Sequence, residues 1–270
     1  MDEPMVIEAV EIELKASGKD AAFLEYSDHI FQVVTNLGIN TSAKGDAFEP
    51  LVRRCLQRFN GYRVIDLPFL QDVKHKISMW PENLVLQIDS VNTAAGFGYS
   101  DCESLIEADL GFLSERCPSK MFVAASHTRP DGAWFFSEDD RFAGSLGIKL
   151  YSERFGQAIQ KSNETSTDLR CCFLSKDGKT TTHNTKNVRQ EYEQSGTPSK
   201  LRGILRIHIQ IPGVSGGDQA THVKVDHLAN TEDLVVYINL SNLDSFFSED
   251  IAENLEDIKK LKALLRHIAA

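Results

Sequence analysis

The fold is decided by residues 118–151, which read PSKMFVAASHTRPDGAWFFSEDDRFAGSLGIKLY. This stretch contains three short apolar runs, KMFVAAS, AWFFS and LGIKLY, which are separated by the polar loops RPDG and EDDRFAG. Short apolar runs bounded by turn-forming residues are typical of β-strands. The stretch therefore predicts a small β-meander.

Helical and strand-like patterns extend outward from the meander. Apolar residues recur at helical spacing in 20–37, 47–59 and 249–267, and the second half of the polar stretch 175–196 also suggests a helix. Strand-like runs occupy 64–70, 84–90, 200–213 and 234–240, and the run 200–213 alternates as a half-buried strand does, with His208 facing solvent. We expect an α/β fold with a mixed central β-sheet flanked by helices. Residues 1–40 would form an N-terminal helical extension, and 41–270 one α/β domain that closes on a helix.

Composition narrows the class of protein. A chain of 270 residues with 41% hydrophobic content can bury a full core, and it has no apolar run of about 18 residues that would span a membrane. The acidic opening does not resemble a secretory signal, and five cysteines without a CxxC pair favour reduced thiols. We expect an intracellular protein of the nucleus or cytoplasm. The net charge of −10 disfavours tight non-specific DNA binding, although a local basic face remains compatible with that total.

Two residues of the meander suggest chemistry. Asp131 directly precedes one apolar strand, and Lys149 lies within the next. If these strands pair, the carboxylate and the ammonium approach one end of the sheet, as a metal-dependent phosphodiester site requires. The alternative is structural, because Pro-Asp-Gly is an ordinary turn sequence and a lysine can extend from an edge strand to water.

The stretches PSKMFVAASHTRPDGAWFFS and GIKLYSERF, with Phe48-Glu49 upstream, resemble the PD-(D/E)xK nuclease superfamily. More narrowly, they are similar to the nuclease-like domain of Crinkler-type effectors and related transposon-associated proteins. Those domains place an apolar strand before an RPD-type turn, then a hydrophobic strand and a strand that carries an acid or glutamine two residues before a lysine. The resemblance covers about residues 40–245 and implies a restriction-endonuclease-like core.

The resemblance also implies roles for individual residues. Asp131 would be the main ligand of Mg²⁺ or Mn²⁺, and Glu49 would help to hold the metal or its waters. Lys149 would orient the attacking water or stabilise the developing charge. The sequence departs from the family at Gly147, where the family has Glu, Asp or Gln. The backbone carbonyl of Ile148 remains as a further metal ligand, since carbonyl oxygens bind hard cations. The missing acid implies weakened or lost activity.

Basic residues offer a means of holding nucleic acid. Lysines and arginines near the meander and in 175–206 would track phosphates if they share a face, and the alternative is scattered solubilising charge. The candidates are Arg129, Lys186, Arg189, Lys200 and Arg202. Two functions follow: metal-dependent hydrolysis of DNA or RNA, or a catalytically inactive effector module that binds a protein partner. A third reading is a soluble α/β domain without either role.

Overall fold

A computed structural model gives the structure of the chain. It describes residues 52–53, 56–93, 116, 118–123, 130–150, 164–170, 194, 196–211, 223–228, 230–239 and 241–242. The predicted N-terminal extension 1–40 and the predicted helices 20–37 and 249–267 lie outside these ranges. No helix within the described ranges is long and apolar enough to cross a membrane.

Seven strands of the described residues form one mixed sheet in the order β1-β2-β3-β4-β5-β7-β6. The strands are β1 Ser90–Thr93, β2 Lys120–Val123, β3 Gly132–Phe135, β4 Phe142–Leu150, β5 Gly203–Ile211, β6 Val223–Leu228 and β7 Thr231–Ile238. The helices with defined bounds are short: two 3-10 helices, Val64–Asp66 and Pro68–Lys76, and the helix Thr197–Lys200. Residues 52–53, 56–57 and 164–167 are also helical. A mixed sheet with few described helices is an α/β-type fold, as the sequence predicts.

Pairing within the sheet confirms the predicted meander. β3 runs antiparallel to both of its neighbours, β2 and β4, with Gly132 of β3 opposite Leu146 of β4. β4, β5 and β7 then run parallel, so their carboxyl ends share one edge of the sheet. β1 runs parallel to β2, and β6 closes an antiparallel hairpin with β7. Because β3 is antiparallel to β4, the start of β3 lies at the edge where β4 ends.

One face of the sheet carries the apolar core. Trp134 and Phe136 point to this face, where Trp80 packs edge-on against Phe136, with the ring centroids 5.8 Å apart. A Cβ on Gly144 would lie 1.9 Å from Cε2 of Trp134. The indole thus fills the space that a side chain would need, and only glycine fits at this position. The 3-10 helices add Phe69 and other buried residues to the same core.

Two predictions of strand structure are wrong. Residues 64–70 form 3-10 helix, because Pro68 lacks the N–H that a strand ladder requires and suits the first position of a helix. Residues 84–90 form a single bridge, Arg63 to Val85, and β1 begins only at Ser90. The predicted helix 47–59 is helical where it is described, at 52–53 and 56–57.

Strands β5 and β6 also differ from the prediction. β5 is buried along all nine residues and is not half-exposed. β6 was not predicted, although the alternation Val223-Lys224-Val225-Asp226 is a strand signal. The polar stripe of β5, which consists of Arg206, His208 and Gln210, faces away from the apolar core. The segment 164–170 contacts Arg206 and His208 through Thr167.

Candidate functional site

Asp131 and Lys149 lie together at one edge of the sheet. The β3–β4 register sets Asp131 beside Gly147, and Lys149 projects from the same face two residues further along β4. Lys149 Nζ lies 3.9 Å from Asp131 Oδ2, and the side chains are 32% and 23% exposed. The two strands thus bring one acid and one amine to a place that solvent reaches. Their metal-binding and catalytic roles stay predictions.

The backbone of β4 holds the carboxylate of Asp131 in place. The Ile148 N–H donates to Asp131 Oδ2 at 2.5 Å, so just before the start of β3 a side-chain oxygen replaces the usual backbone acceptor. Arg53, from the helical segment before Phe59, donates from Nη1 to the Asp131 carbonyl at 3.2 Å. These contacts fix both the backbone and the side chain of Asp131. The other carboxylate oxygen, Oδ1, has no hydrogen-bond partner within the described part of the chain.

The carbonyl of Ile148 lies near this carboxylate. Phe136 N–H donates to the Phe142 carbonyl, so every second pair of the β3–β4 ladder exchanges hydrogen bonds. Continued along the strands, this alternation sets Pro130 opposite Ile148. Proline has no N–H and cannot donate to the Ile148 carbonyl. The carbonyl oxygen of Ile148, which is a predicted metal ligand, therefore does not receive the backbone N–H hydrogen bond that the paired residue of a neighbouring strand usually donates.

Gly147 occupies the position at which the resemblance predicts Glu, Asp or Gln. An ideal Cβ built on Gly147 would lie 2.8 Å from Thr167 Cγ2 and 3.8 Å from His208 Nδ1. The first distance is shorter than real Cβ contacts allow, so a side chain here requires a shift of Thr167. The position thus lacks an oxygen donor, and the space for one is filled from the segment 164–170.

Hydrogen bonds and ion pairs anchor the segment 164–170 on the sheet. Ser145 Oγ donates to the Thr167 carbonyl at 2.7 Å. Arg170 forms a paired contact with the buried carboxylate of Asp233, at 2.6 Å from Nη2 to Oδ1 and 2.9 Å from Nη1 to Oδ2. Arg206 donates to Thr167 Oγ1 at 3.3 Å. Ser145 and Arg206 therefore hold Thr167 over Gly147, and Arg170 fixes the end of the segment.

His208 is fully buried, and the prediction that it faces solvent is wrong. Its ring stacks on Tyr237, with centroids 5.1 Å apart, and its Nε2 lies 3.3 Å from Thr167 Oγ1. Burial, with smaller contributions from Arg206 and Lys224, lowers the pKa of His208 to about 3. The imidazole is therefore neutral at pH 7, which a residue packed beside two cations requires.

Tyr237 ties the same region to Glu164. The Tyr237 hydroxyl donates to Glu164 Oε1 at 2.5 Å. Burial, together with this hydrogen bond, raises the pKa of the Tyr237 hydroxyl well above its usual range. The phenol stays protonated at neutral pH and acts as a fixed donor to the helical start of the segment 164–170.

Of the predicted nucleic-acid residues, the two that are described, Lys200 and Arg202, do not lie beside Asp131. Lys200 and Arg202 are exposed, but Arg202 immediately precedes β5 and its N–H bonds to the Arg141 carbonyl, at the start of β4. Lys149 lies near the other end of β4, which is roughly 23 Å away at the rise of a β-strand. A basic groove beside the site is therefore not formed by these two residues. Glu49, Arg129, Lys186 and Arg189 lie outside the described residues.

The described residues provide few oxygen ligands for a metal. Within the described ranges, no group of three or more His, Cys, Asp or Glu side chains could hold an ion. Asp131 Oδ1 and the Ile148 carbonyl are hard oxygen donors of the kind that Mg²⁺ prefers, and Mg²⁺ often binds through one or two carboxylates and keeps several waters. One carboxylate and one carbonyl are close to the smallest set of protein ligands that such a site uses. Nearby Lys149 disfavours a cation and favours an anion.

Comparisons with protein-family models, curated proteins and solved structures gave no match to this chain. The functional argument therefore depends on the geometry of Asp131, Gly147 and Lys149. Sequence reasoning named these three residues and missed Arg53 and Thr167 as their neighbours. Arg53 was visible as part of a basic run on the helical segment, whereas Thr167 carried no signal.

Proposed function

We propose that this chain is a nuclease-like domain with a restriction-endonuclease-like core, acting on the phosphodiesters of DNA or RNA with Mg²⁺ or Mn²⁺. The observation that carries the proposal is the approach of Asp131 and Lys149 across Gly147 at a partly exposed sheet edge. An acid that binds a cation and an amine that binds the phosphate are the two groups that such hydrolysis requires.

Each residue has a defined part in the proposal. Asp131 Oδ1 and the Ile148 carbonyl would hold the cation, while Asp131 Oδ2 stays fixed by the Ile148 N–H. When bound, the cation lowers the pKa of a water and polarises the phosphate. Lys149 would donate to a phosphate oxygen and stabilise the charge that develops on it. Arg53 keeps the Asp131 backbone in register and is a positioning residue.

The second candidate is a catalytically inactive module on the same fold that binds a protein partner. The contact of Thr167 with the space above Gly147 favours it, because the second side-chain ligand is absent and the space for it is filled. The net charge of −10 also suits a protein partner better than a polyanion. This candidate predicts a stable fold without cleavage.

A cleavage assay separates the two candidates. Purified protein would be incubated with supercoiled plasmid DNA, or with a single-stranded RNA, in Mg²⁺, in Mn²⁺ and in EDTA. We expect metal-dependent nicking by the wild type and losses of about a hundredfold or more for Asp131→Asn and Lys149→Ala. No cleavage of either substrate in either metal would favour the inactive module.

Matched control variants test whether the loss is local. Asp72→Asn and Lys120→Ala remove the same charges from exposed positions of the 3-10 helix Pro68–Lys76 and of β2. Both controls should cleave as the wild type does. Equal activity of Asp131→Asn and Asp72→Asn would remove Asp131 from the site and would end the proposal.

A further inference from the structure

Gln210 is a buried amide beside Lys149. The parallel register of β4 and β5 pairs Lys149 with Gln210, and the side chains of such a pair project from the same face of the sheet. Gln210 is 3% exposed, and its Nε2 has no hydrogen-bond partner in the described structure. Two amide hydrogens thus remain without an acceptor next to the ammonium of the candidate site.

An unpaired buried amide is unfavourable for the fold. A donor of this kind costs the folded chain its full desolvation energy, and most buried polar atoms in proteins have a partner. Arg206, on the same stripe of β5, has acceptors at Thr167 Oγ1 and the Glu164 carbonyl. Gln210 differs from Arg206 but resembles His208, whose Nδ1 also lacks a partner in the described structure. Of these side chains, Gln210 is the one paired with Lys149 in the strand register, so its donor is placed for an acceptor that a ligand of the candidate site supplies.

The place of Gln210 in the sheet supports a ligand contact. β4 and β5 run parallel, so Lys149 and Gln210 both lie close to the carboxyl ends of their strands. In open α/β sheets, ligands bind outside these carboxyl ends. Asp131 reaches the same edge from the start of the antiparallel strand β3. Three polar side chains from three adjacent strands therefore converge on one edge.

We propose that Gln210 is a substrate-contacting residue, whose amide Nε2 and the Lys149 ammonium together bind an oxygen of a nucleic-acid phosphate. This inference rests on the proposed function and assigns that site a second phosphate donor. An amide and an ammonium are both donors, so the pair suits an acceptor-only group such as a phosphodiester. The neutral amide adds direction to the hydrogen bonding without adding charge.

The test is an NMR titration of the whole chain with inorganic phosphate in magnesium chloride. The side-chain amide signal of Gln210 is assigned by its loss in Gln210→Leu. We expect this signal to shift and to saturate together with the backbone signal of Lys149. Gln71, whose Nε2 already donates to the Leu67 carbonyl at 3.1 Å, serves as the control and should not shift. A Gln210 signal that stays fixed overturns the inference.

Stability separates a ligand contact from a structural role. Gln210→Leu should keep the melting temperature of the wild type, since it replaces a buried donor that has no partner in the described structure, and should weaken phosphate binding about tenfold. Gln210→Met repeats the test with an unbranched side chain if Leu packs poorly. A lower melting temperature in both variants, with phosphate binding unchanged, assigns Gln210 a structural role and overturns the inference.

The plasmid assay distinguishes this inference from the proposed function. If the wild type cleaves DNA and the Gln210 signal does not shift, the proposed contact between Gln210 and phosphate is wrong and the proposed nuclease activity is supported. If the Gln210 signal shifts and no substrate is cleaved, the phosphate contact is supported and the proposed hydrolysis is wrong.

Discussion

Thr167 fills the space directly above Gly147, where a Cβ would lie 2.8 Å from Thr167 Cγ2. The contact joins the segment 164–170 to the middle of the candidate site. It explains in physical terms why the position between Asp131 and Lys149 is glycine: the space for a side chain is already occupied.

The first prediction concerns this contact. Gly147→Ala should destabilise the protein by about 1–3 kcal/mol, because the new methyl group overpacks against Thr167. Thr167→Ser removes Cγ2 and keeps the hydroxyl, so the double variant should recover most of the loss. Urea unfolding of the four proteins of this mutant cycle measures the coupling.

Gly132→Ala is the matched control for this cycle. A Cβ there would meet Met121 Sδ at 3.1 Å, and the end of a flexible side chain can move aside. Gly132→Ala should therefore cost less than Gly147→Ala, and Thr167→Ser should not change that cost. Additive effects of Gly147→Ala and Thr167→Ser would show that the two residues do not touch.

The second prediction concerns the anchor of the segment 164–170. Asp233 is buried and accepts hydrogen bonds from Arg170 and from the Ile204 N–H at 3.0 Å. Asp233→Asn removes the closer of the two carboxylates that pair with Arg170, the other being Asp168 at 3.3 Å, and it also removes the carboxylate 3.7 Å from Arg206. The change should cost about 3–5 kcal/mol. Asp226, opposite Asp233 in the β6–β7 hairpin, pairs with Lys224 at 3.1 Å in a more exposed setting.

Asp226→Asn is therefore the control, and it should cost less than about 1 kcal/mol. Thermal or urea unfolding compares the two variants. If Asp233→Asn and Asp226→Asn lower the free energy of unfolding by the same small amount, the Arg170–Asp233 contact does not anchor the segment 164–170.

The third prediction concerns the pH dependence of stability. The pKa of His208 falls from 6.5 to about 3 on folding, so the unfolded chain binds the proton first as the pH drops. The stability that the neutral imidazole contributes is complete above pH 6.5 and is lost as the pH falls from 6.5 towards 3. The slope should approach about 1.4 kcal/mol per pH unit within this window.

Urea unfolding between pH 7 and pH 5 measures this slope. His208→Phe keeps a ring against Tyr237 and should remove this part of the slope. His75→Gln, at an exposed position of the 3-10 helix Pro68–Lys76, should keep it. A slope that is the same in the wild type and in His208→Phe would exclude His208 as its source.

The sequence predicted the part of the site that depends on neighbouring strands. Asp131 and Lys149 are separated by one strand and one turn, so a local pattern of apolar runs was sufficient to place them on paired strands. The register then follows from the alternation of side chains, because a slip of one residue would turn the apolar face of β3 away from the core.

Contacts between distant segments were not predictable in this way. Thr167 reaches Gly147 through the tertiary placement of 164–170, and no periodicity encodes that placement. The alternation of Arg206, His208 and Gln210 with apolar residues predicted a half-exposed strand, but all three side chains are buried. Arg206 can be buried because Asp233 lies 3.7 Å away and Thr167 Oγ1 accepts a hydrogen bond from it. The burial of a polar stripe depends on partners that a single strand does not reveal.

Direct titration with Mn²⁺ tests the central claim, that Asp131 and Lys149 form one site for a cation and a phosphate. Asp131→Asn should bind Mn²⁺ at least tenfold more weakly than the wild type, because the carboxylate charge is lost. Lys149→Met should bind Mn²⁺ more tightly than the wild type, because the ammonium 3.9 Å from Asp131 no longer repels the cation. Mn²⁺ affinities that are the same in all three proteins would contradict the account.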